Sequence, residues 1–444
     1  MSTASPDSAQ SVLLSFQATN VRSFRDEISF SMLATTLAEP ATRLTVPWRE
    51  NGATVDVLPV AGIFGANASG KSNLLRALAD MRNLVISSFR FGRPDGGIPR
   101  RPFLLDEESS SQPSEFEIDL VLHGIRHRYG FAIDDGRVIE EWAFNYPKGH
   151  ERLIFTRDGN DIMPGALERS KTRAVREILR PNALFLSTAA AANHPLLFPL
   201  YSWFERNLLL ADAQTRIFRQ ATTTQMFKDE HTRSDVMWLL READLGITGI
   251  AAEDPDPEFR ERMGRAIETL TEGLDINLED ELPPFDQLLP VSLEHQASKG
   301  SIKLGPEDES VGTLVWLGLI GPILEALNQG SVFLADELDA SLHPALVALI
   351  VGIFQSQETN QRRAQLIFNS HDTTLLGESP EQRSGRLLGR DQIWFTEKQR
   401  TGESKLYPLS DLSPRKGEAI ERRYLSGRYG AVPILPLALQ PKRV

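Results

Sequence analysis

The chain has 444 residues, a formal net charge of −12 and no cysteine. That length predicts two or more structural units, and the missing cysteine excludes disulfides and thiolate metal sites. The acidic balance argues against a protein whose main task is coating DNA, and the polar start Met1–Ser8 lacks the apolar segment of a secretory leader, so a cytoplasmic protein is expected.

In chain order, Val12–Ala18 and Asp26–Ser31 alternate apolar and polar residues and predict an antiparallel pair. The turn between them can hold Arg22 or Arg25 near a bound base or leave them as surface arginines. Val57–Phe64 is an apolar run suited to a buried strand, Gly65-Ala-Asn-Ala-Ser-Gly-Lys-Ser72 follows, and helical periodicity then runs to Arg82. Strand, glycine loop and helix in this order predict a phosphate-binding loop. Gly65 and Gly70 permit the tight turn, the helix N-terminus faces a triphosphate, Lys71 reaches the β and γ phosphates and Ser72 a magnesium ion.

A glycine- and proline-rich connection near Arg90 precedes three strand-like runs, Phe116–Leu122, His127–Ile133 and Val138–Phe144, which form a meander. From Gly165 to Gly273 the pattern turns helical without a sustained heptad, which predicts a compact insertion or short arm. Arg169, Lys171, Arg173, Arg176 and Arg180 recur there and read as a solvated helix face in preference to a DNA contact. Glu253–Glu258 gathers carboxylates, but its prolines and the lack of a nearby histidine make it a solvated loop.

Val311–Leu327 is the most apolar long stretch; it contains a proline and a glutamate, and it falls short of the roughly 20 residues a membrane span needs, so a buried helix is expected. Ser310 can cap that helix and Gly312 lets an anion approach its backbone, which makes the first turn a second phosphate receptor or an ordinary cap. Val332–Glu337 is an apolar strand ending in two acids, Asp336 for magnesium and Glu337 to orient and deprotonate an attacking water. Lys71 and Asp336 stand 265 residues apart (336 − 71), so the nucleotide-binding head is split around an insertion. Gln365–Asn369 reads as the next buried strand and delivers His371 to the γ-phosphate, whereas His343 is read as a turn residue.

Asn20-Val-Arg-Ser-Phe-Arg25, Gly65 to Asn73, Glu309-Ser-Val-Gly-Thr313, Val332 to Glu337, Asp339-Ala-Ser-Leu-His-Pro344 and Asn369-Ser-His-Asp372 together resemble the ABC-type ATPase heads of the SMC and RecF group. They look more closely like bacterial AAA-type ATPases with ABC-like heads that accompany phage-defence genes, relatives of the overcoming-lysogenization-defect ATPases. The expected fold is α/β, a split ABC-type P-loop ATPase head with an antiparallel β subdomain and a helical insertion. Residues 1–160 form the N-terminal half of the head with the meander, 161–290 the helical insertion and 291–444 the C-terminal half.

The resemblance implies an ATPase that uses ATP and Mg2+ and works as a homodimer or higher homo-oligomer. ATP then lies between Lys71, Ser72, Asp336 and Glu337 of one subunit and Ser310 and Gly312 of the other. Gly65, Asn67, Gly70 and Asn73 complete the loop's contacts, His371 is the switch histidine, and Asp339 belongs to the loop that crosses the interface. Val311 precedes a single Gly312 where that family commonly carries two adjacent glycines. The implied function is a sensor or regulator of antiviral defence, which controls a separately encoded effector nuclease or toxin through nucleotide-dependent dimerisation. The alternative is a RecF/SMC-like DNA-repair or chromosome-maintenance ATPase. Direct nucleic-acid contact stays open and no membrane association is expected. Tyr424–Pro433 also looks like the tail of the defence-associated group, either a partner-docking segment or a packed turn.

Overall fold

In the computed structural model, residues 11–38, 43–243, 246–252, 261, 265, 291–378 and 385–433 are described; the carboxylates of Glu253–Glu258 lie outside them. Strands β1 (Val12–Thr19) and β2 (Ile28–Ser31) precede a small hairpin, β3 (Leu44–Pro47) with β4 (Thr54–Val57), and then β5 (Val60–Phe64). The meander is β6 (Ser114–Leu122), β7 (Ile125–Ile133), β8 (Val138–Asn145), β9 (Arg152–Asp158) and β10 (Asp161–Met163). Later strands are β11 (Leu208–Ala211), β12 (Ile247–Ala252), β13 (Val291–Gln296), β14 (Ser301–Leu304), β15 (Val332–Ala335), β16 (Gln365–Asn369), β17 (Ile393–Lys398) and β18 (Ser404–Pro408).

Two sheets hold thirteen of these strands, seven in one and six in the other. The first has seven strands in the order β10-β9-β8-β7-β6-β1-β2, all antiparallel. His123 and Gly124 join β6 to β7, both at positive φ (51° and 73°), the combination a two-residue hairpin turn requires. The second sheet has the order β11-β15-β16-β5-β17-β18. Its first five strands are mutually parallel and β18 runs antiparallel to β17.

Continuous apolar runs form β5, β15 and β16 because both faces of this sheet are covered. The period of two divides them: Ala61, Ile63, Leu334 and Ile367 join Leu74, Leu78 and the antiparallel sheet in one core. Val60, Phe64, Phe333, Leu366 and Phe368 join Ile320, Val347 and Val351 in the other. Gln365, fully buried, ties the two sheets; its Oε1 accepts from the Leu13 amide at 2.7 Å and its Nε2 donates to the carbonyls of Leu13 (3.0 Å) and Leu58 (3.2 Å).

The segment expected as a helical insertion is not helical throughout. Within 161–290, β11 pairs in parallel with β15, Leu208 opposite Val332 and Ala211 opposite Ala335, so the chain returns to the nucleotide sheet as its edge strand. β12 pairs with β13 outside that sheet. A four-residue apolar run carries no periodicity that separates strand from helix.

Helix Val311–Gln329 is long and apolar enough to span a membrane, yet 12 of its 19 residues are buried inside the protein. Its partner is helix Arg216–Lys228. Pro322 lacks an N–H, which frees the Gly318 carbonyl to accept from Arg219 Nη1 at 3.1 Å. Thr223 Oγ1 accepts from the Gly321 amide (2.9 Å) and donates to the Leu317 carbonyl (2.6 Å), a substitute for one turn of the ladder.

A buried ion pair fastens the antiparallel sheet to helix Phe185–Ala191. Glu141 on β8 faces Arg157 on β9, with 3.5 Å between carboxylate and guanidinium and both side chains at 0% exposure. Glu141 also accepts from the amides of Phe185 (2.6 Å) and Leu186 (2.9 Å) at that helix's N-terminus and from the Tyr129 hydroxyl (3.0 Å). Burial pushes the Glu141 carboxyl up, against the pull of Arg157 and the amides. Removing this charge leaves Arg157 uncompensated, and Glu141→Gln is expected to cost about 3–5 kcal/mol of stability in urea unfolding. A loss below about 1 kcal/mol would mean that the carbonyls of Gly159 and Ala183 already satisfy the guanidinium.

Candidate nucleotide site

Between β5 and helix Lys71–Ser87 the chain turns tightly. Gly65 (φ 156°), Ala68 (φ 60°) and Gly70 (φ 111°) all have positive φ. A methyl group on Gly65 would sit 2.3 Å from the Thr396 carbonyl and one on Gly70 2.4 Å from Ser404 Oγ, so only glycine fits either position. Ser69 and Thr396 share a 2.6 Å hydroxyl hydrogen bond. Strands β17 and β18 therefore clamp the loop from the side, a support the sequence does not reveal. Gly70 caps the helix without a side-chain bond, which leaves the first-turn amides for an anion.

Lys71 lies at the centre. Its Nζ donates to the carbonyls of Gly65 (2.8 Å) and Ala66 (3.1 Å) and lies 3.3 Å from His371 Nδ1. Burial pulls its ammonium down to about 8, while Asp339, Glu337 and Asp336 act in the opposite direction. Asn67 is exposed on the loop and Asn73 is half-buried on the first helical turn.

The acids arrive from the adjoining strand ends. Asn369, at the end of β16 and fully buried, joins them through one amide group. Its Nδ2 donates to Asp336 Oδ1 (2.6 Å) and Ser72 Oγ (3.3 Å), and its Oδ1 accepts from the Glu337 amide (2.5 Å). Arg76 Nη2 takes the other Asp336 oxygen at 3.2 Å. Glu337 is exposed and at φ 54°, a conformation that non-glycine residues seldom adopt. Asp339 Oδ2 accepts from the His371 amide at 3.1 Å. The oxygens of Ser72 and Asp336 thus surround a common point marked by Asn369 Nδ2, and a hard-oxygen pair of this kind fits magnesium.

Ser310 and Gly312 stand elsewhere in the chain. Ser310 Oγ accepts from the Thr313 amide at 3.0 Å and caps its helix. A methyl on Gly312 would meet the Ser341 carbonyl at 2.6 Å, which places the helix start against the loop that carries Asp339. Val311 beside it is 57% exposed. His295 Nε2 sits 2.6 Å from Glu309 Oε1 just before the cap.

The structure bears on several further expectations. Arg22 is not free for a base; its guanidinium binds both oxygens of Asp80 on the phosphate-loop helix at 2.5 and 2.7 Å. Arg25 pairs with Asp26 and Glu403. His343 caps helix Pro344–Gln355 by accepting from the Ala345 amide. In the basic helix Arg169–Ile178, Lys171 pairs with Glu168 and Arg176 with Asp161 on an exposed face, and beyond its end Arg180 donates to the carbonyls of Ser88 and Phe89. Tyr424 and Tyr429 are buried against Phe395, so the C-terminal stretch is a packed turn. Asn369 and Arg76 are missing from the sequence-based site, although Asn369 stands in one of its motifs.

Comparison with known proteins yields four findings. No curated protein matches the chain. The head of Smc bound to the C-terminal winged-helix domain of ScpA matches with a TM-score of 0.39 and 12% identity over 90% of this chain and 99% of that one. An Smc head with an extended coiled coil, bound to the C-terminal domain of ScpA derived from Pyrococcus furiosus, matches with a TM-score of 0.30 and 15% identity over 84% of this chain and 97% of that one. The family described as "AAA domain, putative AbiEii toxin, Type IV TA system" matches residues 60–377, a span that contains the phosphate loop, both strand-end acids and His371. The chain belongs to this AAA-domain family.

Proposed function

We propose that the chain binds ATP with magnesium and hydrolyses it slowly by in-line attack of water. The observation that carries this reading is the convergence of Ser72, Asp336 and the Glu337 amide on Asn369, together with the contact between Lys71 and His371. Lys71, with His371 beside it, meets the charge on the γ-phosphate, and Glu337 accepts the proton of the attacking water. A magnesium ion held by Ser72 and Asp336 supplies further positive charge to the phosphates. Gly65, Asn67, Gly70 and Asn73 complete the cradle.

The exposed start of helix Val311–Gln329 supports a two-subunit arrangement in which Ser310 and Gly312 face the ATP of a second copy, with Asp339 in the crossing loop. We read the assembly as a cytoplasmic regulator of antiviral defence that controls a separately encoded effector. The family's description, which names a toxin and a type IV toxin–antitoxin system, supports this reading. The test is the mass of Glu337→Gln protein by light scattering after size exclusion, with and without ATP and magnesium. A nucleotide-dependent doubling is expected; an unchanged mass would remove the two-subunit arrangement.

The lowered Lys71 value adds a pH signature. Its folded-state value lies below the ordinary 10.5, so the ammonium costs stability below pH 8 and that cost disappears as pH rises through 8 toward 10.5. An anion favours the charged form, so ATP binding at about pH 8.5 takes up a proton, and at about pH 6.5 Lys71 takes up almost none. Calorimetry in buffers of different ionisation enthalpy reads this directly. A binding enthalpy independent of buffer at the higher pH would contradict the placement of Lys71 on the phosphates.

A further inference from the structure

After β18 the chain folds back over the end of the nucleotide sheet. A short turn (Leu409–Leu412) and helix Ile420–Leu425 lead to Tyr429. The rings of Tyr424 and Tyr429 stack on Phe395 at 5.3 and 5.9 Å, which fixes this segment against β17. Between turn and helix lies a cavity of about 530 Å3 with Leu412, Arg415, Glu418, Arg423, Arg428 and Tyr429 in its walls. None of these residues belongs to the Lys71 cluster.

Its charge is uneven. Three arginines face one glutamate, an excess of two positive charges in a chain whose net charge is −12. Glu418 is already committed: the Tyr429 hydroxyl and Arg423 Nη1 (2.6 Å) donate to Oε1, and the Arg415 amide donates to Oε2 at 2.9 Å. These bonds hold Arg423 in the wall. Arg415 and Arg428 are exposed and form no ion pair among the described residues. A concave, cationic surface on an acidic protein focuses potential and collects anions. Guanidinium groups match phosphate oxygens in a two-pronged geometry, and the volume lies within the range of roughly 300–1,000 Å3 that small ligands occupy.

We propose that this cavity is a second anion site, separate from the phosphate loop, in which Arg415 and Arg428 bind the phosphate group of a nucleotide-sized ligand or of a nucleic-acid strand. The test compares full-length wild type with Arg415→Ser/Arg428→Ser, by calorimetry with inorganic pyrophosphate and by fluorescence anisotropy with a labelled oligothymidylate. At least a roughly tenfold loss of affinity for one probe is expected, with ATP affinity and thermal melting unchanged. Loss for pyrophosphate alone assigns a free phosphorylated ligand. Loss for the oligothymidylate, largest at low salt, assigns a strand. Pyrophosphate bound at the phosphate loop is common to both proteins and cancels in the comparison. Arg415→Lys/Arg428→Lys keeps the charge and should restore part of the binding. Equal binding of both probes by wild type and the serine variant, or binding of neither, overturns the proposal.

Discussion

Lys71→Ala is expected to abolish ATP binding and to leave the nucleotide-free fold intact. A non-hydrolysable ATP analogue at a hundred times its Kd stabilises a protein by about 2.7 kcal/mol, and the variant should show almost none of that shift in urea unfolding. The reason is local. Lys71 is the cation at the loop's centre, already desolvated and held by the carbonyls of Gly65 and Ala66, so it meets a phosphate without reorganising. Its removal also takes away a buried ammonium whose burial disfavours the charged form. An equal stabilisation of wild type and variant by the analogue would sink the assignment of the loop.

Asn369→Leu should separate binding from chemistry. The loop carbonyls that hold Lys71 keep their partners and Ser72 Oγ loses only one long hydrogen bond, so the analogue's Kd should stay within about threefold, while single-turnover hydrolysis falls about a hundredfold, equivalent to about 2.7 kcal/mol. Asn369 Oδ1 holds the Glu337 amide, and Glu337 sits at a φ of 54° that its own side chain does not favour. Without that hydrogen bond the backbone can relax and carry the carboxylate away from the attacking water. Nδ2 meanwhile orients Asp336 toward Ser72. A merely structural role would lower stability and leave the rate per folded molecule unchanged; that outcome would demote Asn369 to packing.

The sequence made the α/β class legible because glycine loop, apolar strands and alternating meander each carry a strong local signal. The apolar runs of β5, β15 and β16 lie side by side in one parallel sheet. Other features had no local signature. Leu208–Ala211 is too short to show a period, and its place beside β15 is a long-range fact. Asn369 looked like one polar residue between a strand and a histidine; only the meeting of three chain segments reveals what its amide joins. Arg22 had the right residue type for a ligand contact, but Asp80, four strands further along on the phosphate-loop helix, takes it first. Tyr424 and Tyr429 could equally have been exposed anchors until Phe395 was placed beneath them.

The strand order of the nucleotide sheet also bears on how the chain is made. Neighbouring strands come from residues 208–211, 332–335, 365–369, 60–64 and 393–398, so the first of them to leave the ribosome has no partner until 305 further residues (369 − 64) follow. The meander, whose strands pair with their sequence neighbours, can form long before. Gln365 then closes on Leu13 across 352 residues, among the last long-range contacts that synthesis allows. The apolar strand beside the phosphate loop therefore waits with both edges unpaired while translation proceeds, and an incomplete chain presents those edges to chaperones or to other incomplete chains.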